Sequence, residues 1–463
     1  MSARVTVVGT GYLGATHAAC MAELGHDVLA VDTDPSKINL LRTGRAPFFE
    51  PHLDEVLQRN IAAGRLHFST SYDAVGTWGA IHFICVGTPQ LDPLGTSDLS
   101  QIRATIDALS ARITVPSVIL GKSTVPVGTA RHLIERIKDT ASAEADIELA
   151  WNPEFLREGH AVRDTLSPTR IVLGTENRTN IRAERLARTI YRLLLARQIP
   201  MVVTDLETAE LTKTAANSFL ATKISFINAM AELCDAAGAD VSVLADALGY
   251  DPRIGRMHLG AGLGYGGGCL PKDLHALVAK ADELGIVSIA RLLHDVEQIN
   301  LRARARTTHL AIAACGGTSR DRSIAVLGAA FKPGTDDIRN SPALDVAEDL
   351  RRLGATVTVF DPQAMSKSRN AFPELKYARS TALACRNADA ILVLTDWPEF
   401  SAMLPGDLEA VVRGKAIVDG RNCLDPLTWR AAGWSYSALG RMGFSGSTAE
   451  RRAHADPDGA LNP

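Results

Sequence analysis

The chain of 463 residues is long enough for about two or three domains, each burying its own core. With 49 lysines and arginines against 52 aspartates and glutamates, its formal charge of −3 gives no cationic surplus for nucleic acid or an anionic membrane. Apolar residues at 46% and charged residues at 22% are globular proportions, and no apolar run reaches the roughly 18 residues of a membrane span.

From the N-terminus, "RVTVVG", "DVLAVD", "AIHFICVG", "SVILGKS", "RIVLG" and "PMVVTD" read as buried parallel strands separated by helices. The opening stretch "VTVVGTGYLG" is broken by glycines and lacks a cleavage-site pattern, so a cytoplasmic protein is expected. From about Leu206 to Gly238 a run without proline or internal glycine predicts one helix of around 30 residues, suited to linking domains. A second series follows in "SIAVLGAAFKP", "TVTVFDP", "AILVLTDW" and "AIVDGRN". The expected fold is α/β: two Rossmann-like domains joined by a long central helix and a helical middle domain. Their bounds are set at 1–204 for the dinucleotide-binding domain, 205–305 for the helical domain and 315–444 for the second Rossmann-like domain. The polar tail 445–463 is expected to be disordered.

In "GTGYLG", Gly9, Gly11 and Gly14 follow the first strand and open a helix, and Asp32 ends the next strand. Such glycines bring a diphosphate onto helix N–H groups, and the acid accepts hydrogen bonds from a ribose diol while repelling a 2′-phosphate, which favours NAD over NADP. In the second series Gly328 and Asp361 repeat the plan, but "GAAFKPG" lacks the other two glycines, so that domain should not hold a dinucleotide in the same way.

The seven cysteines (Cys20, Cys85, Cys234, Cys269, Cys315, Cys385, Cys423) never fall in CxxC spacing, which argues against a disulfide framework and a zinc site, and no metal is expected. A buried structural thiol is the usual fate of such residues. Cys269 stands apart, because Gly266, Gly267 and Gly268 precede it and Pro271, Lys272 and Asp273 follow. The glycines would clear an approach for a bulky substrate, while Pro271 suits the first turn of a helix whose N-terminus stabilises a thiolate. Lys272 adds positive charge and Asp273 can hold a proton or a water, so the cysteine reads as a nucleophile.

Ten blocks in order carry a resemblance through about 430 residues: "GTGYLG", "PFFEP", "VGTP", "KSTVPVGT", "NPEFLREG", "AELTKTAANSFLATKISFIN", "DPRIG", "GYGGGCLPKD", "FKPGTDDIRNSPA" and "DGRN". The chain resembles the UDP-glucose/GDP-mannose 6-dehydrogenase family. That resemblance implies oxidation of the C6 alcohol of a nucleotide sugar to a carboxylate with two NAD and one water, UDP-glucose being the first choice of substrate and GDP-mannose the second. It makes Cys269 the carrier of a thiohemiacetal and then a thioester. Lys213 and Asn217, four apart on the long helix, would stabilise the oxyanion, Asp273 would prepare the hydrolytic water, and Thr124 would lie near the reacting carbon. Glu154 is expected beside the sugar as acid or base, with Glu158 on the cofactor side, the two sharing a face if "PEFLREG" is helical. The cofactor set gains Lys37, Thr88, Thr124, Glu158, Lys272 and Arg339. The substrate set comprises Glu154, Lys213, Asn217, Gly266, Lys332 and Arg253, the last supplied by a second copy, which implies a homodimer or higher oligomer with the long helix at its core.

Three positions depart from the commoner family pattern: Gly268 replaces Ser before the cysteine, Leu270 replaces Phe after it, and Ala229 stands where Glu often follows "FIN". Two rival readings stay open. One is a two-electron hydroxy-acid dehydrogenase with an inert cysteine, and the other a nucleotide-sugar sensor that binds without turnover.

Overall fold

The computed structural model describes residues 2–91, 96–142, 145–176 and 181–441, so the tail expected to be disordered lies outside the described residues. The chain divides into two compact units, Met1–Asn217 with Lys272–Val287 and Ser218–Pro271 with Ser288–Pro463.

The first unit is built on eight strands: β1 (Arg4–Val8), β2 (Asp27–Val31), β3 (Leu66–Ser69), β4 (Ile81–Ile84), β5 (Ser117–Gly121), β6 (Ile147–Trp151), β7 (Ile171–Thr175) and β8 (Met201–Asp205). They lie in the order β3-β2-β1-β4-β5-β6-β7-β8. The first six make the doubly wound dinucleotide-binding order, in which ligands bind beyond the carboxyl ends of the strands. Both faces are covered. Val5 and Val7 of β1 pack with Ala15, Ala18 and Val28 on one side, and Val8 packs with Ile84, Ile102 and Ile119 on the other.

Two expectations are corrected. β7 runs antiparallel to β6, with Trp151 opposite Gly174, so the strand read from "RIVLG" is not parallel to its inner neighbour. β3 and β6 complete the sheet although their sequences did not announce them. β3 is an edge strand whose burial alternates, and β6 begins with the half-buried Ile147 and Glu148, the latter paired with Arg182.

The second unit carries β9 (Ser323–Leu327), β10 (Thr356–Phe360), β11 (Lys376–Tyr377), β12 (Ala390–Val393), β13 (Ala416–Asp419) and β14 (Ser435–Ala438) in the order β11-β10-β9-β12-β13-β14, every pair parallel. This is the same six-strand plan, around a core that includes Ile324, Val326, Leu344, Ile391 and Ile417. The α/β class with two Rossmann-like sheets is therefore as expected. The uninterrupted run after Leu206 forms a 32-residue helix, Leu206–Ala237, which starts in the first unit and continues into the second. Among the described residues no helix is long and apolar enough to cross a membrane.

Candidate active site

The three glycines after β1 do three different things. Gly9 has φ +90°, and a Cβ there would lie 2.8 Å from the Val86 nitrogen, so it makes the tight turn. A Cβ on Gly14 would lie 1.7 Å from the Gly9 carbonyl oxygen, so it lets the helix Tyr12–Glu23 pack on the strand. Gly11 meets nothing within 4 Å, and as the helix N-cap it offers no side-chain bond to the first N–H groups. An open face beside uncapped helix donors fits the diphosphate of a dinucleotide.

At the end of β2, Asp32 is held ready. Its Oδ2 accepts from the Thr10 N–H at 2.7 Å and the Thr10 hydroxyl at 3.0 Å, and its Oδ1 accepts from the Asp34 N–H at 3.0 Å. Lys37 Nζ lies 3.8 Å from the same carboxylate. Two further cofactor candidates meet beyond β4, where the Thr88 hydroxyl donates to the Thr124 carbonyl at 2.7 Å.

Also within the first unit, Lys213 Nζ lies 2.9 Å from Glu154 Oε1, with side chains 5% and 12% exposed. The Asn217 amide donates to Asp273 Oδ2 at 2.6 Å, and Lys272 Nζ lies 2.9 Å from Asp273 Oδ1. Lys213 and Asn217 are both buried on the helix Leu206–Ala237, as their four-residue spacing implies. The sequence-expected groups Glu154, Lys213, Asn217, Lys272 and Asp273 are thus tied together in pairs: a cation against a carboxylate, and an amide with a second cation against another.

The segment Asn152–Gly159 is not helical, so Glu154 and Glu158 do not share a helical face. Pro153 and a web of side-chain bonds explain this. The Asn152 amide donates to the Val172 carbonyl, and its oxygen accepts from the Tyr191 hydroxyl at 2.6 Å and Lys122 Nζ at 3.1 Å. Glu154 Oε2 then accepts from the Leu156 N–H at 2.7 Å, turning the chain locally. Glu158 is buried all the same. Burial pushes the Lys122 ammonium down to about 8, with the neighbouring Lys213 adding to the effect.

In the second unit, Cys269 is exposed and directly precedes the helix Leu270–Glu283, with Pro271 in its first turn as expected. The glycines before it lie against another stretch of the chain. A Cβ on Gly266 would lie 2.1 Å from the Asn340 carbonyl oxygen, one on Gly267 2.8 Å from the Phe331 ring, and one on Gly268 2.2 Å from the Arg339 guanidinium carbon. The bare backbone admits the segment 331–342. Bonds fasten the contact: the Gly267 N–H donates to the Arg339 carbonyl at 2.8 Å, and the Asn340 amide donates to the Gly267 carbonyl at 3.1 Å. The Arg421 guanidinium bridges the Gly264 and Phe331 carbonyls at 3.1 and 3.0 Å. Lys332 lies over the Phe331 ring at 5.4 Å, and Arg339 pairs with Asp337. Arg253 is exposed and paired with Asp251 at 2.6 Å.

Comparison with known proteins completes the picture. Residues 3–195 match the NAD binding domain of the UDP-glucose/GDP-mannose dehydrogenase family, 207–302 its central domain and 325–426 its UDP binding domain. UDP-glucose 6-dehydrogenase of Rhizobium meliloti (strain 1021) is 40% identical over 438 residues, covering 95% of this chain and 99% of that one. A UDP-glucose 6-dehydrogenase of Bacillus subtilis (strain 168) is 39% identical, covering 94% and 97%. The solved UDP-glucose dehydrogenase of Pyrobaculum islandicum superposes with a TM-score of 0.86 at 34% identity, covering 95% and 98%. The chain belongs to the UDP-glucose/GDP-mannose dehydrogenase family. It is an NAD-dependent dehydrogenase, and the glycine turn with Asp32 suits that cofactor.

Within this family member, one departure from the commoner pattern has a neighbour that bears on it: a Cβ on Gly268 would meet the movable guanidinium end of Arg339. Nothing in the structure explains Ala229. Glu50, Lys122 and Glu210, which stand inside the quoted blocks without an expected role, are buried polar groups as well. The Glu210 carboxylate accepts from the Gly128 and Ala130 N–H groups at 2.7 and 2.6 Å, and burial raises it to about 7. A charged residue amid apolar neighbours in those blocks was the available signal.

Proposed function

We propose that the chain oxidises the C6 alcohol of UDP-glucose to the carboxylate of UDP-glucuronate, reducing two NAD and consuming one water. The observation that carries this is full-length likeness to UDP-glucose 6-dehydrogenases in a chain that keeps Cys269, Lys213, Asn217 and Asp273. Bound NAD supplies the hydride acceptor for both oxidations.

In the first oxidation C6 loses a hydride and its hydroxyl proton, and Glu154, already paired with Lys213, takes that proton directly or through water. The Cys269 thiolate adds to the aldehyde, forming a C–S bond and an oxyanion that Lys213 and Asn217 stabilise. Loss of a second hydride from this thiohemiacetal leaves a thioester. Asp273 takes a proton from water, the hydroxide attacks the acyl carbon, and the C–S bond breaks to return the thiolate. Lys272 Nζ, 2.9 Å from Asp273 Oδ1, holds that carboxylate in place for the task.

In this reading Gly9, Gly11, Gly14, Asp32, Lys37, Thr88, Thr124, Glu158, Lys272 and Arg339 hold NAD. Gly266, Lys332 and Arg253, the last from a second copy, hold the nucleotide sugar. We assign NAD binding to 1–204, the helical part to 205–305 and the nucleotide-sugar domain to 315–444. The compartment is the cytoplasm, where a nucleophilic thiol stays reduced.

The test is purified chain with NAD and a panel of UDP-glucose, GDP-mannose and UDP-N-acetylmannosamine. Two NADH per UDP-glucose, with steady-state NADH production lost in Cys269→Ala, is the expected result. One NADH per sugar, a preference for another sugar, or full turnover by Cys269→Ala overturns the reading.

A further inference from the structure

The block Pro47–Pro51 carries a carboxylate that neither oxidation step uses. Glu50 is 6% exposed, and neutral donors take its oxygens. The Tyr12 phenol donates to Oε2, as does the Gly159 N–H at 2.7 Å, while the Ala161 N–H donates to Oε1 at 2.7 Å. The Gly159 N–H also lies 3.0 Å from the Tyr12 hydroxyl, which closes a ring of three groups. An ionised carboxylate is costly to bury unless its lone pairs are satisfied, so removing one donor strains the rest of the ring.

The ring joins two pieces of chain that matter. Tyr12 is the first residue of the helix that Gly11 opens, and its ring lies against Phe48 with centroids 4.6 Å apart. Burial, reinforced by Glu50, pushes the phenol well above the usual range, so it stays a donor. Gly159 closes the irregular segment that carries Glu154 and Glu158, with φ +78°. That segment has no helix or strand of its own to hold it, and the ring, with the Asn152 web at its other end, does so instead.

We propose that Glu50 is a positioning residue that locks the turn at the NAD diphosphate to the segment bearing Glu154 and Glu158, so that a change at one is felt at the other. The proposal rests on the roles given to those two glutamates above.

The test uses the full chain with Tyr12→Phe, Glu50→Gln and the double variant. NAD affinity is read by tryptophan fluorescence without sugar, KM for UDP-glucose by steady-state rates, and folding by thermal melting. Glu50→Gln is expected to weaken NAD about tenfold, the size of one lost bond to a charged group, and Tyr12→Phe about threefold, with KM for UDP-glucose rising in both. The double variant should be no weaker than Glu50→Gln alone, because both break one ring. Additive losses overturn the proposal, as does weakened NAD with an unchanged sugar KM, or a lower Tm with NAD affinity intact. Should Glu50→Gln fail to fold, Tyr12→Phe keeps the ring stack on Phe48, and unchanged NAD affinity there overturns the proposal equally. Failure of the UDP-glucose reading shows separately, as absent turnover in the parent chain, while the NAD titration is untouched.

Discussion

After β1, Gly9 turns the chain straight into the helix at Tyr12, whereas after β9 Gly328 is followed by the run 329–341 before a helix begins at Pro342. The acids at the ends of the neighbouring strands differ in the same sense. Asp32 takes two bonds from Thr10 and one from Asp34, and keeps its side chain 11% exposed. Asp361 is 1% exposed, and its Oδ2 accepts from the Ala329 and Ala330 N–H groups and the Trp397 indole. Its Oδ1 accepts from Gln363 and Ala364. One acid is left open to a ligand, and the other is spent on the chain's own backbone. Two sheets with one strand order thus differ in whether the first turn keeps its donors for something outside the protein.

The harshest way to break this comparison is Gly14→Ala. Its Cβ would lie 1.7 Å from the Gly9 carbonyl, and the helix start must move, for an expected loss of about 3 kcal/mol or more and of NAD binding. An unchanged Tm would refute the packing role. Asp361→Ala should cost about 3 kcal/mol in denaturant unfolding by stripping buried donors of their acceptor. Asp32→Ala should weaken NAD about tenfold and move the melting point little. Reversal of those two patterns would mean the acids have been assigned the wrong way round.

Acid sharpens the contrast, since among the described residues the buried histidines His17, His26 and His82 all sit in the first unit. Burial lowers each, His82 to about 4, so they are neutral in the fold. A depressed histidine contributes stability above its ordinary value near 6.5 that is lost as pH falls toward its folded value. For His82 the loss between pH 7 and 5 is about 2 kcal/mol, and His82→Gln should shrink the gap between melting points at those two pH values. Equal gaps would exclude it as the cause. The smallest effect is expected at Gly268→Ser, where the Arg339 guanidinium can swing aside: an increase of about threefold in KM for NAD, read by steady-state kinetics, with Tm nearly intact.

Strands with a continuous apolar run, such as Val28–Val31 and Ile391–Val393, were legible because burial on both faces leaves no polar residue in them. β3, β11 and β14 were not, being short edge strands with half or all of their residues part-buried or exposed, and β6 hides behind Glu148. At the candidate site, helical spacing placed Lys213 and Asn217 correctly, because a long helix obeys one period. It failed for Glu154 and Glu158, whose segment is shaped by Lys122, Tyr191 and Val172, all distant in the chain. Long-range bonds of that kind leave no local period to read.

For anyone reshaping this catalyst, the glycines beside Cys269 carry a warning. Because 266 and 267 lend their missing side chains to the backbone and ring of residues 331–342, a library randomised at those two sites alone is expected to return mostly destabilised clones. Variation in the nucleophile's loop has to be drawn jointly with its brace, two short stretches some seventy positions apart mutated as one.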